Sequence, residues 1–413
     1  MGFSSVDDYV AKTTGGNFWR TDFNKQTLAT GWPGTIGRWY DLSTQPGSPV
    51  AIGGTPLTVG SGYGEMIWNG IFLGGANYWT LTSGWTWSAN TLVKSGDGTT
   101  ALTATMQKAF VAGRSYRVTY TLSVWSVGTC TVSCGGTAGT ARGSAATFTE
   151  TLVATNANAL TFVGTNTSRF TIASVTVIEA LQSFPLDDTL QGAFYHGGNV
   201  SPATKHLINA GVVSATATFV PGAWMLVDLL MCYPGINMAS ASLQTLLNAN
   251  SLPRYTDGKG VRAALVITLA SGGTAHNLAY SYTNTVPTSG RTNPVTVACT
   301  ASAIYSHITH AGVAANNYGP ALPLQAGDVG LTKVDTLQLS ASSTAGEAAM
   351  VLYKPLMWLP MTTASVAAER DFMNQLPSLP RIYDGACLGL FFFAGAALAA
   401  SSNVYGYIDA AWG

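Results

Sequence analysis

The chain has 413 residues, room for about two to four domains, with 19 basic and 19 acidic side chains and a net charge of zero. Charged residues make up 9% of it, far below the usual quarter, which excludes the basic footprint of a direct nucleic-acid binder. So few charges also leave a monomer without its usual protection against self-association, so this surface is expected to be covered by neighbours.

In chain order, Met1 to Asp8 has no basic region followed by an apolar core, so it does not read as a secretory signal. Val6 stands where a myristoylation pattern needs Ser or Thr. Ser5 is placed to cap a short helix over Val6 to Val10. From there to residue 75 the chain is aromatic and rich in Gly and Pro, with little periodicity. Trp19, Arg20 and Phe23, then Arg38, Trp39 and Tyr40, read as an extended N-terminal arm. It would lie on the rest of the chain or on a neighbouring subunit and contribute to assembly.

Residues 76–180 change character. Short Thr- and Ser-rich strands are expected over 101–106, 116–125, 130–134, 147–153, 160–163 and 170–178, separated by Gly-containing turns, the pattern of an all-β sandwich. Cys130 and Cys134 on one strand would lie roughly 13 Å apart at ~3.3 Å per residue. That is beyond the ~7 Å reach of a disulfide, so they read as packing residues in a reducing compartment. Tyr78, Trp79, Trp85, Trp87 and Trp125 offer rings for stacking on a sugar, or else a packed core.

Residues 181–298 and 299–413 carry a repeat. Ser251 to Gly258 matches Ser378 to Gly385 at six of eight positions, offset by 127 from Asp257 to Asp384. Leu226 to Pro234 falls against Leu352 to Pro360, His206 to Ser214 against Thr332 to Ser340, and Asn277 to Tyr282 against Asn403 to Ile408, each offset by 126. The duplication competes with convergent turn chemistry, since Pro and Asp-Gly recur in any β-rich chain. Each copy is expected to hold strands, a short helix over 241–248 or 367–374 that ends before proline, an Asp-Gly turn, and a strand buried on both faces at 263–269 or 388–393. Arg254 with Asp257, and Arg381 with Asp384, read as a turn braced by arginine, or as a ligand-binding pair.

The fold class expected is mainly β: a tandem duplicated, jelly-roll-like β-sandwich core with an inserted β-sandwich and an N-terminal arm. His307 and His310 have half the spacing of a metal site, but no further ligand stands near them. No metal or cofactor is expected. The longest apolar run, 387–400, is too short to span a bilayer. Gly-x-Ser-x-Gly, the P-loop and His-Glu-x-x-His are missing from the sequence. Asp187 and Asp188 are adjacent and would point to opposite faces of a strand, which does not suit a glycosidase carboxylate pair. The expectation is therefore a chain without enzymatic activity.

Two stretches resemble known families. Trp85, Trp87 and Asn90, then Phe110 to Tyr120 with its Ala112-Gly113 turn, Gly135-Gly136-Thr137, and Phe162 to Val177 are similar to the carbohydrate-binding-module-like jelly rolls inserted in tailed-bacteriophage tail and head proteins. Tyr195 to Pro202, Leu252 to Gly258 and Tyr407 to Gly413 resemble structural proteins encoded among phage head genes, over residues 1–60 and 185–413. No segment matches the long spine helix of the shell-forming capsid fold. The resemblance implies a virion protein assembled in the bacterial host cytoplasm, a head decoration or stabilising component. Its partners would be copies of itself and other capsid or virion proteins. The alternative it implies is a tail or fibre adhesin that binds host glycan through the inserted jelly roll.

Overall fold

A computed structural model describes residues 5–26, 37–44, 47–48, 63–96, 98–189, 192–214, 220–269, 276–294, 297–299, 307–309, 319–343, 345–375, 379–396 and 402–413. The chain is mainly β, and its strands pair antiparallel in five sheets among these residues. It divides into two compact units, Met1–Ile52 with Leu181–Gly413, and Gly53–Ala180.

The first unit opens with α1 (Val6–Thr14), capped by Ser5 Oγ, which accepts from Asp8 N at 3.0 Å. Then come β1 (Phe18–Gln26) and β2 (Arg38–Asp41). Later in sequence follow β3 (Lys205–Val213), β4 (Gly222–Asn237), β5 (Arg262–Leu269) and β6 (His276–Asn284). The last five are β7 (Leu331–Leu339), β8 (Glu347–Met361), β9 (Ala368–Asp371), β10 (Cys387–Ala394) and β11 (Asn403–Trp412).

The long strands β4 and β8 pair along most of their length. From β8 the sheet continues through β5, His307–Thr309, β2 and β10, and β10 pairs again with β4, so the path of hydrogen bonds returns to its start. Tyr353 and Phe391, on strands that are not ladder neighbours, meet with ring centroids 5.0 Å apart. Together with the two outer cores this explains the near-continuous burial of β4, β5 and β10 that their apolar runs predict. Pro234 and Pro355, which cannot donate to a ladder, both fall at register shifts of the β4–β8 pair.

One core lies between this sheet and a second of order β9-β3-β11-β1, and contains Phe23, Leu207, Trp224, Leu226, Leu390 and Ile408. The other lies between it and a third sheet of order Gln244–Thr245, β7, β6, Arg291–Thr292, and contains Tyr233, Leu265, Tyr280, Leu337, Met350 and Leu352. Each flanking sheet thus mixes strands from the two sequence halves, with β3 between β9 and β11 and β7 between Gln244–Thr245 and β6. Residues 181–298 and 299–413 do not fold as side-by-side sandwiches. The physical reason is that β3 and β7 each find both neighbours in the other half, where the complementary apolar faces are.

The ladders obey the offsets seen in the sequence. Adding 126 to a β4 residue and subtracting 127 from a β10 residue turns Leu226↔Leu390 and Trp224↔Phe392 into Leu352↔Ala263 and Met350↔Leu265, which are the pairs of β8 with β5. Under the same shift of 126 the β4–β8 ladder maps onto itself, because Leu226↔Met357 and Trp224↔Leu359 become Met231↔Leu352 and Tyr233↔Met350. The fixed point is Asp228 opposite Lys354, where an approximate twofold axis passes. Gly258 and Gly385 take φ of 70° and 69° in the two Asp-Gly turns, and a Cβ at Gly258 would stand 2.7 Å from the Leu331 carbonyl oxygen.

Neither expected helix forms as read. Residues 241–248 hold only the short strand Gln244–Thr245, added to the edge of β7. Gln244 also exchanges side-chain hydrogen bonds with the Asn237 backbone at 2.8 and 2.9 Å, which holds the segment extended. In the second half β9 pairs with β3, and one helical turn follows at Phe372–Gln375. In both places a flanking strand with an open edge outcompetes a weak helical propensity.

The segment read as an arm lies on the chain's own sheets. β1 pairs with β11 from Phe18↔Ala411 to Gln26↔Asn403, and β2 completes the central sheet. Phe23, Trp39 and Tyr40 are buried core residues, whereas α1 buries none of its side chains.

The second unit is a two-sheet sandwich. One sheet orders Thr137–Ala138, Cys130–Cys134, Thr161–Gly164, Ala101–Ala104 and Trp79–Thr80; the other orders Ala146–Val153, Ser115–Val127, Arg169–Ile178, Thr91–Ser95 and Trp85–Ser88. Tyr120 against Phe162, at 5.3 Å, joins the two sheets. The unit takes in residues before 76, since Glu65 bridges to Ile178 and Ile67 to Met106. Glu65 Oε1 accepts from the Met66, Ile67 and Val177 amides at 3.0, 3.3 and 2.9 Å. Burial pushes its pKa up to about 8 against those three bonds.

Two outcomes are expected. Deleting residues 2–16 removes a helix with no fully buried side chain and should lower stability by about 1–2 kcal/mol, while deleting 2–45 strips two core strands and should abolish the cooperative transition seen by circular dichroism. A carboxyl whose pKa is raised on folding stabilises fully below its unfolded value of 4.5, and that stability is lost as pH rises toward about 8. Glu65→Gln should therefore flatten the pH dependence of Val177 amide exchange across that window, and an unchanged slope would rule this out.

Candidate functional site

β4 carries Asp228 in the middle of an apolar run, so its charge must find a partner inside the protein. The partner is Arg254: Nε donates to Oδ2 at 2.9 Å and Nη2 to Oδ1 at 2.7 Å, with both residues buried. Nη2 also reaches the carbonyls of Leu186 and Leu229 at 3.0 and 2.9 Å, and Cys387 N donates to Asp228 Oδ1 at 3.1 Å. One bidentate pair therefore fixes β4, the 251–258 segment, the chain at Leu186 and the start of β10.

The expected Arg254–Asp257 pair is not formed. Asp257 is exposed and accepts from Lys259 N at 3.1 Å, with Lys259 Nζ at 3.3 Å. The Arg381–Asp384 pair is also absent. Arg381 stacks its guanidinium 4.1 Å from the Tyr383 ring centroid, while Asp384 accepts from the Val200 and Ser201 amides at 2.9 and 3.1 Å. The physical reason is competition for partners: Arg254 turns inward to Asp228, Asp257 accepts from the amide two residues on, and Asp384 accepts from a separate loop.

Asp384 thereby pins the loop 195–202, beneath which a second polar cluster is buried. Lys205 Nζ lies 2.9 Å from His196 Nδ1 and also donates to the Gly198 carbonyl. Since an ammonium only donates, Nδ1 must accept and the imidazole proton sits on Nε2, which faces Asp188 Oδ2 across 3.7 Å. Burial, then the Lys205 charge, pulls the His196 pKa down to about 4, and burial pulls Lys205 down to about 8. The cluster is a neutral imidazole wedged beneath a loop. Gly197, at φ 86°, lets Trp19 close over it, since a Cβ there would stand 2.9 Å from Trp19 Cβ.

The other sequence-selected residues scatter. Trp79 and Trp85 are core residues of the second unit, 6% and 4% exposed, which removes them as sugar-stacking surfaces. Trp87 and Trp125 are exposed, with Nε1 bonded to the carbonyls of Phe72 and Gly128 at 2.8 and 3.2 Å. They stand on strands separated by two others in their sheet, so they form no shared platform. Tyr78 is exposed and stacks on Trp68 at 5.3 Å. Trp19 is exposed, and Arg20 forms a bidentate pair with Asp409, both bonds 2.7 Å, on the outer face of β1 and β11. Near it a cleft of about 300 Å³ opens between α1 and Asn209, Asp371 and Asp409. Arg38 lies in β2.

Cys130, Cys134, Cys232 and Cys387 are buried free thiols. Among the described residues no group of three or more His, Cys, Asp or Glu side chains is placed to hold a metal ion, and no helix is long and apolar enough to cross a membrane. The His307 and His310 side chains lie outside the described residues.

Asp228, His196 and Lys205 were not among the residues the sequence reading selected. Asp228 did leave a signal: a lone carboxylate inside Leu226 to Tyr233 breaks an otherwise apolar block and demands a buried cation. Comparison with protein-family models, with curated proteins and with solved structures finds no match to this chain.

Breaking a buried pair by removing one partner strands the other charge. Asp228→Asn is therefore expected to destabilise the first unit by about 3–5 kcal/mol. The double change Asp228→Leu with Arg254→Met should lose clearly less. Denaturant midpoints measure both, and equal losses would show that the charge pairing is not what matters there.

Proposed function

We propose that this chain is a non-enzymatic structural protein of a tailed-bacteriophage virion, a head decoration or stabilising component that assembles with copies of itself and with other virion proteins. The observation that carries this reading is the set of large aromatic side chains left exposed on the first unit of a charge-poor chain. Trp19, Tyr195, Trp358 and Tyr405 are 40%, 52%, 42% and 43% exposed. Three of them are anchored: Trp19 and Tyr195 meet edge to face at 5.1 Å, and Trp358 packs on buried Trp39 at 5.1 Å. Anchored rings lose little conformational freedom on association and are the residue types that concentrate binding energy in interface cores.

The resemblance of the 195–202 and 252–258 segments to phage head-gene products supplies the setting. Those segments are here the pinned loop and the arginine-bearing turn, parts of a rigid β scaffold. A tail or fibre adhesin that binds host glycan through Gly53–Ala180 is the second reading, and it rests on exposed Trp87, Trp125 and the Tyr78–Trp68 stack.

The test is assembly. Sedimentation of the purified chain should show a concentration-dependent oligomer, and Trp358→Glu with Tyr405→Glu should weaken it by about tenfold or more and reduce incorporation into particles. A strict monomer whose variants enter particles normally would overturn the proposal. A dozen or fewer copies per particle would favour the adhesin.

A further inference from the structure

The approximate twofold relation puts the two arginine-bearing turns in equivalent places with unequal electrostatics. Asp228 has Lys354 as its counterpart, and Arg254 has Arg381. In the first half, cation and carboxylate neutralise each other inside the protein; in the second half both positions are cationic. Arg381 has no internal carboxylate to draw it inward and stands exposed against Tyr383.

The surroundings extend this into a row. Tyr383 meets Tyr255 edge to face at 4.8 Å, and Tyr255 OH donates to the Arg381 carbonyl at 3.3 Å. Lys354 Nζ lies 5.4 Å from the Tyr255 ring centroid and donates to the Lys259 carbonyl at 2.9 Å. Arg262 stands close enough that its charge, after burial, helps lower the Lys354 pKa, with Asp257 opposing. Asp257 is itself held by Lys259 at 3.3 Å. Among the described residues, Lys354, Arg262 and Arg381 form no ion pair. In a chain with only 19 basic residues, Arg381 and Lys354 lie over two tyrosines that touch each other, with Lys259 and Arg262 close to Lys354.

We propose that this row is a binding site for a short acidic polypeptide segment whose Asp or Glu carboxylates bridge Arg381, Lys354 and Arg262. None of the three forms a salt bridge among the described residues, and Arg381 and Lys354 each lie over a tyrosine ring, which leaves their other sides to pair with carboxylates. The ring faces are already covered by cations, which argues against sugar stacking. The cluster is compact and the whole chain is neutral, which fits a few carboxylates better than the long phosphate run of a duplex. The site stands independently of the virion reading.

The test is fluorescence anisotropy on the full chain with a labelled decapeptide of alternating Glu and Gly. Saturable binding is expected, weakening steeply as salt rises from about 50 to about 500 mM. Arg381→Glu with Arg262→Glu should weaken it by about tenfold or more without altering the melting transition, because neither side chain is buried. Lys333→Glu, outside the row, should leave it unchanged. The proposal is overturned by any of three results: no saturable binding, equal binding by the double variant, or a DNA duplex of matched charge outcompeting the peptide.

Discussion

The antiparallel pairing of β4 with β8 about Asp228 and Lys354 is the constraint on which the first unit depends. Both strands are buried over most of their length, so a slip of one residue would exchange which side chains enter each core. The buried Asp228–Arg254 pair fixes the register. It is satisfied only when β4, the 251–258 turn, Leu186 and Cys387 all meet at one point. Such a pair contributes little net stability against an apolar replacement, and its value here lies in specifying one arrangement among several apolar ones.

The same pairing interleaves the two halves. Each flanking sheet interleaves strands from residues before and after 299, and β1 joins one of them by pairing with the C-terminal β11, as in the Arg20–Asp409 bond across 389 residues. Long-range antiparallel pairing of this kind requires loop closure before contacts reward it, which implies slow folding. It also leaves neither half with a complete core of its own. The Gly53–Ala180 unit, by contrast, builds its two sheets from its own strands.

Symmetry and its breaking account for where polar chemistry appears. At the fixed point one half carries a carboxylate and the other a lysine, so one arginine is paired in the interior and its counterpart is displayed. The apolar strands impose a similar backbone, and the residues at equivalent positions turn one arginine inward and leave the other exposed. The exposed rings of Trp19, Tyr195 and Trp358 are likewise held in place by neighbours that the β scaffold fixes.

Much of this was determined by sequence alone, because it depends on short-range pattern. The strands of 101–178 are found at 101–104, 115–127, 130–134, 146–153, 161–164 and 169–178, since two-residue alternation and Gly turns are local signals. The Ser5 cap, the two Asp-Gly turns and the doubly buried runs before β6 and β11 were legible for the same reason. Only the tertiary structure decided the rest. Whether residues 18–26 and 38–41 were arm or core depended on β11 and β10 offering an edge, and whether 241–248 became helix or strand depended on β7 doing the same. The partner of Arg254 lay 26 residues upstream, not three downstream. A charge in an apolar strand announces that a partner exists, but which one it is depends on how the strands cross, and sequence spacing does not carry that.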